Sequence, residues 1–271
     1  MTGQSGSLGV APRRGRKIFF VLVLLALGAA IYARWIEPNW IDVTHHQLRA
    51  PLAAPLKIAH LTDVHTRGMG RRERAILRIL DAEKPDLIVV TGDTLSNDAT
   101  YDECRAFFSR LHAPLGVWAV RGNWENWKPV ARERNFYSSA GVRLLVNESR
   151  EVRPGVWVTG LDDPSSGWPD LGAALATAPR DVFTIALFHA PGFFEKAAGK
   201  FRLALTGHTH GGQVRLPFMG PLWLPSGCGR FVEGWYEKNG SKMYVSRGLG
   251  TSILQVRFLC RPELAFITIQ P

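Results

Sequence analysis

The sequence predicts an α/β domain on a largely parallel sheet, preceded by one apolar helix. Three observations carry this. Short apolar runs alternate with segments of helical spacing as far as Gly211. Five of those runs are followed within three residues by Asp, Asn or His. One long apolar run lies near the N-terminus, behind a cluster of cations. Alternation of this kind implies crossovers and parallel strands. In such sheets, residues at the carboxyl ends of strands are where a site forms.

The apolar run spans Ile18 to Ala33, 16 residues without a charge. A bilayer-spanning helix needs roughly 17–25 residues. Lys17 and Arg34 can snorkel to extend the run. Tyr32, Trp35 and Trp40 stand at its far end, where interfacial aromatics belong. A cleaved signal peptide and an uncleaved anchor both fit this pattern. Ile31, third from a cleavage point after Ala33, is larger than such sites favour, which supports the anchor. Arg13, Arg14, Arg16 and Lys17 precede it and no acid does, which places the N-terminus in the cytoplasm and the body across the membrane. The expected organisation is a basic disordered tail (1–17), a transmembrane anchor (18–35), a proline-bearing linker (36–55) and one catalytic body (56–271).

The 271 residues are 46% hydrophobic and 21% charged, which suits one large core and excludes a disordered body. Net charge is +10, four of it in the tail, and the remaining excess is spread thinly. That suits anionic lipids or phosphorylated substrates. No nucleic-acid-binding module is present, so no nucleic-acid partner is expected. Cys104, Cys228 and Cys260 form no Cys-x-x-Cys pair, which excludes a zinc finger and makes a disulfide framework unexpected.

Within the body, Leu56 to Leu61 reads as a strand that leads into Asp63-Val64-His65. Gly70 to Glu83 has helical spacing, with Ile76, Leu77 and Leu80 on one face. Leu87 to Val90 leads to Gly92-Asp93, and Val117 to Val120 leads to Gly122-Asn123. Tyr101 to Leu111 is a second helix. Ile185 to Phe188 ends at His189, and Phe201 to Leu205 ends at Gly207-His208-Thr209-His210. Alternate residues at a strand end point the same way, so His208 and His210 can converge. After Gly211 short apolar runs separated by Gly and Pro predict strands and hairpins. Carboxylate oxygen with imidazole nitrogen suits Mn, Fe or Zn. Seven candidate ligands exceed the need of one ion and suit two ions about 3.5–4 Å apart sharing a carboxylate.

These motifs resemble the calcineurin-like metallophosphoesterases, whose pattern is D-x-H, G-D, G-N-H, a lone H and G-H-x-H. The resemblance runs from about Leu56 to Ile269. The stretches Ala204–Pro217 and Tyr244–Gly250 are similar to bacterial members held in the inner membrane by one N-terminal helix. Those include UDP-2,3-diacylglucosamine pyrophosphatases of lipid A synthesis and phosphodiesterases of undetermined substrate. The resemblance implies a four-layer αββα sandwich and two divalent ions. Asp63, His65 and His210 would hold the first ion, Asn123, His189 and His208 the second, and Asp93 would bridge them. Asp93, Asn123 and His208 are accordingly the expected catalytic residues. Water activated between the ions would attack phosphorus in line.

Two positions depart from the pattern. Trp124 stands where the family has His, and Trp cannot act as an acid. Glu125 beside it is expected to point elsewhere. The exchange favours leaving groups that need little protonation, such as phosphate. Trp124, with Trp127, could line an apolar wall for acyl chains or a base. Ser96 stands where many relatives carry another acid. Arg67, Arg71, Arg72 and Arg74 follow the first ligand loop, and either grip phosphates and anionic headgroups or form a solvated helix face. Asp162-Asp163 reads as a turn. The expected function is hydrolysis of a phosphodiester or pyrophosphate bond in a lipid-linked or nucleotide-lipid substrate, with membrane lipids as partners. The alternative is a metal-binding scaffold weakened in catalysis by Trp124.

Overall fold

A computed structural model describes residues 13–96, 100–126, 130–179 and 181–271. Residues 1–12 of the expected tail, and Trp127, lie outside the described residues. The chain begins with α1 (Arg13–Ile31), which continues through a π turn at Tyr32–Ile36 and a 3-10 turn at Glu37–Asn39. Gly15–Asn39 is long and apolar enough to cross a bilayer, and Ile18 to Leu27 project no side chain into the body.

The first half of the body holds β1 (Asp42–Arg49), β2 (Leu56–Leu61), α2 (Arg71–Glu83), β3 (Leu87–Thr91), α3 (Tyr101–Phe108), β4 (Val117–Val120), α4 (Val130–Ser139) and β5 (Val142–Leu144). The second half holds β6 (Glu148–Arg153), β7 (Val156–Gly160), α5 (Leu171–Leu175), β8 (Phe183–Leu187), α6 (Phe194–Ala197) and β9 (Leu203–Thr206). It closes with β10 (Arg215–Leu216), β11 (Gly220–Pro221), β12 (Gly234–Lys238), β13 (Ser241–Val245) and β14 (Glu263–Gln270).

Twelve strands form two mixed six-stranded sheets, ordered β1-β14-β2-β3-β4-β5 and β12-β13-β9-β8-β7-β6, and β10 and β11 pair separately as a two-stranded hairpin. The two-residue period of each strand divides its side chains between layers. Leu56 and Ile58 of β2, with Leu87 and Val89 of β3, face the core between the sheets. There they meet Ile185, Leu187, Leu203 and Leu205 of the second sheet. Ala59, Leu61, Ile88 and Val90 face the other way, onto Ile76 and Leu80 of α2 and Phe107 and Phe108 of α3. Ala186 and Ala204 face the outer side of the second sheet, against Phe194 of α6 and Ala174 of α5. Strands with both faces covered read as near-continuous apolar runs, which is why the sequence shows them clearly.

The helices start and stop where local chemistry dictates. The Glu73 carboxylate reaches back to the Gly70 amide at 3.0 Å and caps the start of α2. Lys84 then takes φ 48° just ahead of Pro85 and ends it. At α3 the Thr100 hydroxyl accepts from the Glu103 amide, while Glu103 bonds back to the Thr100 amide.

The segment 36–55, expected to be a linker, instead carries β1. This strand pairs in parallel with β14 over its whole length. Its prolines flank the strand rather than interrupt it. β1 is a half-exposed edge, so His45, His46 and Gln47 leave only a weak apolar signal. His45 bonds Glu83 at 3.1 Å, and the His46 ring packs on Tyr244 at 4.5 Å.

Deleting residues 1–50 should therefore be far more harmful than deleting residues 1–35. The longer deletion removes β1 and leaves β14 as an unpaired edge. A clear drop in thermal midpoint and concentration-dependent association are expected for the longer deletion only, by calorimetry and light scattering.

Candidate metal centre

Every expected ligand lies beyond the carboxyl end of a strand. Asp63 and His65 follow β2, Asp93 follows β3, Asn123 follows β4, His189 follows β8, and His208 and His210 follow β9. The polar ends of the two sheets are thereby brought to one edge. The Asp63 amide donates to the Gly92 carbonyl at 3.1 Å, and the His65 amide to the Asp93 carbonyl at 3.0 Å. The His208 amide crosses from the second sheet to the Asp63 carboxylate at 2.9 Å.

The donor atoms form two groups. Asp63, His65, Asp93 and His210 offer ligand atoms within 4.8 Å of one another, and so do Asp93, His189 and His208. Asp93 belongs to both. Its Oδ2 lies 3.6 Å from His65 Nε2 and 3.3 Å from His189 Nε2. His210 Nε2 stands 3.3 Å from Asp63 Oδ1 and 3.3 Å from His65 Nε2. Atoms bound to one ion at ~2.0–2.2 Å fall at about this spacing. The backbone fixes which ring nitrogen faces inward. His189 Nδ1 donates to the Thr91 carbonyl at 2.7 Å, leaving Nε2 free for a ligand. His208 Nε2 donates to the Ser226 carbonyl at 2.7 Å, leaving Nδ1. Such bonds fix the tautomer and aim of ligating imidazoles.

Among the described residues, His189 Nε2 and Asn123 Oδ1 are buried with no hydrogen-bond partner. Orphaned inward-facing acceptors of this kind need an electrophile. The charge balance agrees. Burial pushes the Asp63 carboxyl above its ordinary range, and burial pushes Asp93 up to about 7. Burial lowers His208 to about 4 and holds His65 and His210 well below the usual imidazole value. Those three rings are therefore neutral, the form that binds metal. Burial also opposes charge on His189, but the Asp93 and Asp63 carboxylates outweigh it and raise that ring. The donor set fits divalent cations.

The edge is built on strained backbone. Asp63, His65, Asp93, His208 and His210 all have positive φ, between 41° and 70°. Non-glycine residues resist this region, at about 1–3 kcal/mol each when held there. The neighbours are glycines because the loops nearly touch. A Cβ on Gly207 would lie 1.9 Å from Thr62 Oγ1, and one on Gly122 would lie 2.2 Å from Asp93 Oδ1.

Several residues that hold the centre are not among the expected set. Glu125, expected to point elsewhere, is buried and locks two ligand loops together. Its carboxylate accepts from the amides of Asp93 (2.9 Å), Thr94 (2.7 Å) and Gly122 (2.8 Å) and from the Thr94 hydroxyl (2.8 Å). Glu125 three residues after Gly122 gives the returning half of a capping box, a carboxylate bonded to the amide three residues back, and that spacing is the signal in the sequence. Arg257 is fully buried and donates to the carbonyls of Gly250, Gly248, Arg247 and Cys260. The Ser96 hydroxyl donates to the His65 carbonyl at 2.8 Å.

Of the expected substrate contacts, the Trp124 ring meets the His65 ring in a T-shaped contact with centroids 4.4 Å apart. The Trp124 amide donates to Asp93 Oδ1 at 3.0 Å. Arg67 bonds Gln255 at 2.9 Å and lines a cavity of about 370 Å³ together with His65, Arg71 and Arg34. Arg72 also lines that cavity, but its guanidinium is bonded to the Val64 carbonyl and Glu73. Arg74 is turned back to the Met69 carbonyl. Asp163 anchors a turn by accepting from Ser165 and Ser166, and Asp162 pairs with Arg121 at 3.2 Å.

An Asp/His/Asn cluster on the shared edge of two mixed sheets belongs to the metal-dependent hydrolases of phosphoesters. The chain is a member of the calcineurin-like phosphoesterase family, whose pattern matches residues 56–212. It is 32% identical over 262 residues to the uncharacterized metallophosphoesterase YkuE of Bacillus subtilis, covering 91% of this chain and 92% of that one. An uncharacterized metallophosphoesterase of Aquifex aeolicus is 29% identical, with 93% of this chain and 98% of that one covered. The phosphodiesterase YaeI of Escherichia coli is 29% identical over 256 residues, covering 88% and 92%.

Glu125→Gln keeps the shape but weakens the bonds to three amides. Metal affinity should fall about 10–100-fold, the range typical of supporting residues. Titration calorimetry with Mn measures this, and circular dichroism should show an unchanged fold.

Proposed function

We propose that this protein hydrolyses phosphodiester or pyrophosphate bonds with two divalent ions, and that its substrate is a phosphorylated lipid or nucleotide-lipid. The carrying observation is that the Asp93 carboxylate belongs to both donor groups. Divalent ions in such a site neutralise phosphate charge and make water a stronger nucleophile. Asp63, His65 and His210 serve one ion. Asn123, His189 and His208 serve the other. Mn, Fe and Zn all suit this mixed oxygen and nitrogen set.

The remaining residues orient substrate. Arg67 and Arg71 present cations on the cavity wall beside His65, where a second phosphate of a pyrophosphate could rest. Trp124 covers His65 and offers no proton. A leaving group that departs as a stable anion suits that arrangement. The lipid part of the reading is supported by α1, which suits a single-pass anchor with the body on the non-cytoplasmic side. Hydrolysis of UDP-2,3-diacylglucosamine is the sharpest version, and a phosphodiester of an exported or membrane lipid avoids its conflict with that topology. The phosphodiesterase relative supports the diester version. A scaffold without turnover is the competing outcome, and Trp124 is the residue that favours it.

The detergent-solubilised full chain, loaded with Mn, should hydrolyse an aryl phosphodiester and nucleotide-lipid pyrophosphates. Absence of turnover on the whole panel with both ions bound would leave the scaffold. Metal analysis should approach two ions per chain. Asp93→Asn should reduce binding of both, and a limit of one ion with His208 dispensable overturns the dinuclear reading.

Trp124→His should restore activity on unactivated alkyl diesters, since general acid catalysis contributes roughly 10²–10⁴-fold where it operates. Aryl diester and pyrophosphate hydrolysis should change much less. Equal gains on both classes mean that another group already supplies the proton.

A further inference from the structure

We propose that β10, β11 and the loop at residues 252–254 form a second membrane contact, which seats the metal-bearing edge against the bilayer beside α1. The proposal rests on the reading of α1 as an embedded helix and names the surface that works with it.

The first observation is the way α1 joins the body. The Ala33 carbonyl accepts from the Arg257 amide at 2.9 Å, and the Tyr32 ring meets Phe258 edge-on. Glu37 is fully buried and accepts from the amides of Leu259, at 2.9 Å, and Cys260. The same loop reaches the metal centre, since Cys260 Sγ lies 3.3 Å from the His210 carbonyl. The end of α1 is thus fixed to a loop that touches a ligand residue. The plane of any membrane that holds α1 is fixed near this edge.

The second observation is the surface beside that junction. Phe218 and Met219 form the tip between β10 and β11 and are fully and three-quarters exposed. Leu222, Trp223, Ile253 and Leu254 are all more than half exposed. Monomeric soluble proteins rarely gather such residues in one place. Four of them are one surface, because Leu222, Trp223, Ile253 and Leu254 line a single cavity of about 330 Å³ whose wall includes Thr209 and His210, and the Phe218–Met219 tip leads directly into Leu222 through β11. Gln213 ties the two parts, bonding the Leu254 carbonyl and the Ser252 and Phe258 amides. Phe218 also has φ 66°, a conformation that a bulky residue in a water-exposed turn avoids. Burial of its ring in lipid would offset that cost.

The third observation is chemical. A bilayer presents phosphate and glycerol above hydrocarbon, and interfacial surfaces match it with aromatics and cations above apolar tips. Trp223, Trp35 and Trp40 are exposed here. Arg34, Arg67 and Arg71 line the neighbouring cavity. Cations, aromatics and aliphatic side chains gathered beside an embedded helix suit a lipid interface.

The test uses the full chain in vesicles of phosphatidylcholine and phosphatidylglycerol. The native cysteines are buried, so a nitroxide goes to a new surface cysteine. Phe218→Cys and Ile253→Cys report the patch. Lys200→Cys, exposed in the turn before β9 and away from the ligand end, reports water. The labels at 218 and 253 should collide with oxygen readily, and with a water-soluble nickel chelate several-fold less than the label at 200. Equal nickel access at all three positions, in a chain that floats with the vesicles, overturns this proposal alone. A chain that does not float overturns the anchor reading and this proposal together. Spin–spin broadening at a shielded 218 label marks a second copy on the patch and also overturns it.

Discussion

Two carboxylates held out of water, Asp63 and Asp93, set the terms for the rest of this molecule. Like charges in a dry, low-dielectric place repel strongly, and each resists ionisation. Burial raises both carboxyls, and the His189 imidazole between them takes on positive character in response. An edge that concentrates anionic and neutral donors while excluding water favours a cation over any arrangement of its own atoms. Cations held by these donors would supply the positive charge that a phosphate ester needs at such an edge.

Holding such donors in place requires a backbone that would not choose to be there. Five of the expected ligands sit in the left-handed region, and the loops that carry them interlock through glycines too close for any Cβ. Glu125 and Arg257 act from outside the donor set, one collecting amides and the other collecting carbonyls. The two facing sheets provide the rigidity that keeps five strand ends within a few ångströms. Stability stored in the apolar core between Ile58, Val89, Ile185 and Leu205 offsets the strain at the edge.

Much of this was legible in the sequence, for definite reasons. β2, β3, β4, β8 and β9 are covered on both faces, so each reads as an apolar run that stops abruptly at a polar residue. All seven expected ligands fall on that edge, because strand ends deliver their residues without help from distant sequence. β1 was not legible, since a half-exposed edge strand with two histidines resembles a linker. Glu125 was misjudged because the aim of a side chain in a tight turn depends on amides contributed by another loop. The split among Arg67, Arg72 and Arg74 depends on which carbonyls come within reach, and composition is silent on that. The attachment of α1 to residues 257–260 joins positions far apart in the chain, and no local pattern records it.

The order of strands in the first sheet has a consequence for how the protein is made. β14 lies between β1 and β2, and Thr44 bonds Glu263 at 219 positions' separation. During synthesis β1 and β2 emerge early and have no partner between them until β14 arrives. Contacts of such long range close slowly and leave edges open to wrong pairing meanwhile. A helix like α1 would already be engaged by then, so the unfinished sheet would wait tethered at one end. Tethering lowers the volume that β14 must search to find its slot. In a membrane-held chain it would also keep incomplete sheets of neighbouring chains in one layer, where the open slot between β1 and β2 could accept a strand from another copy. The half-exposed, histidine-bearing character of β1 is a fitting partner for such a wait, because it presents little apolar surface to a stranger.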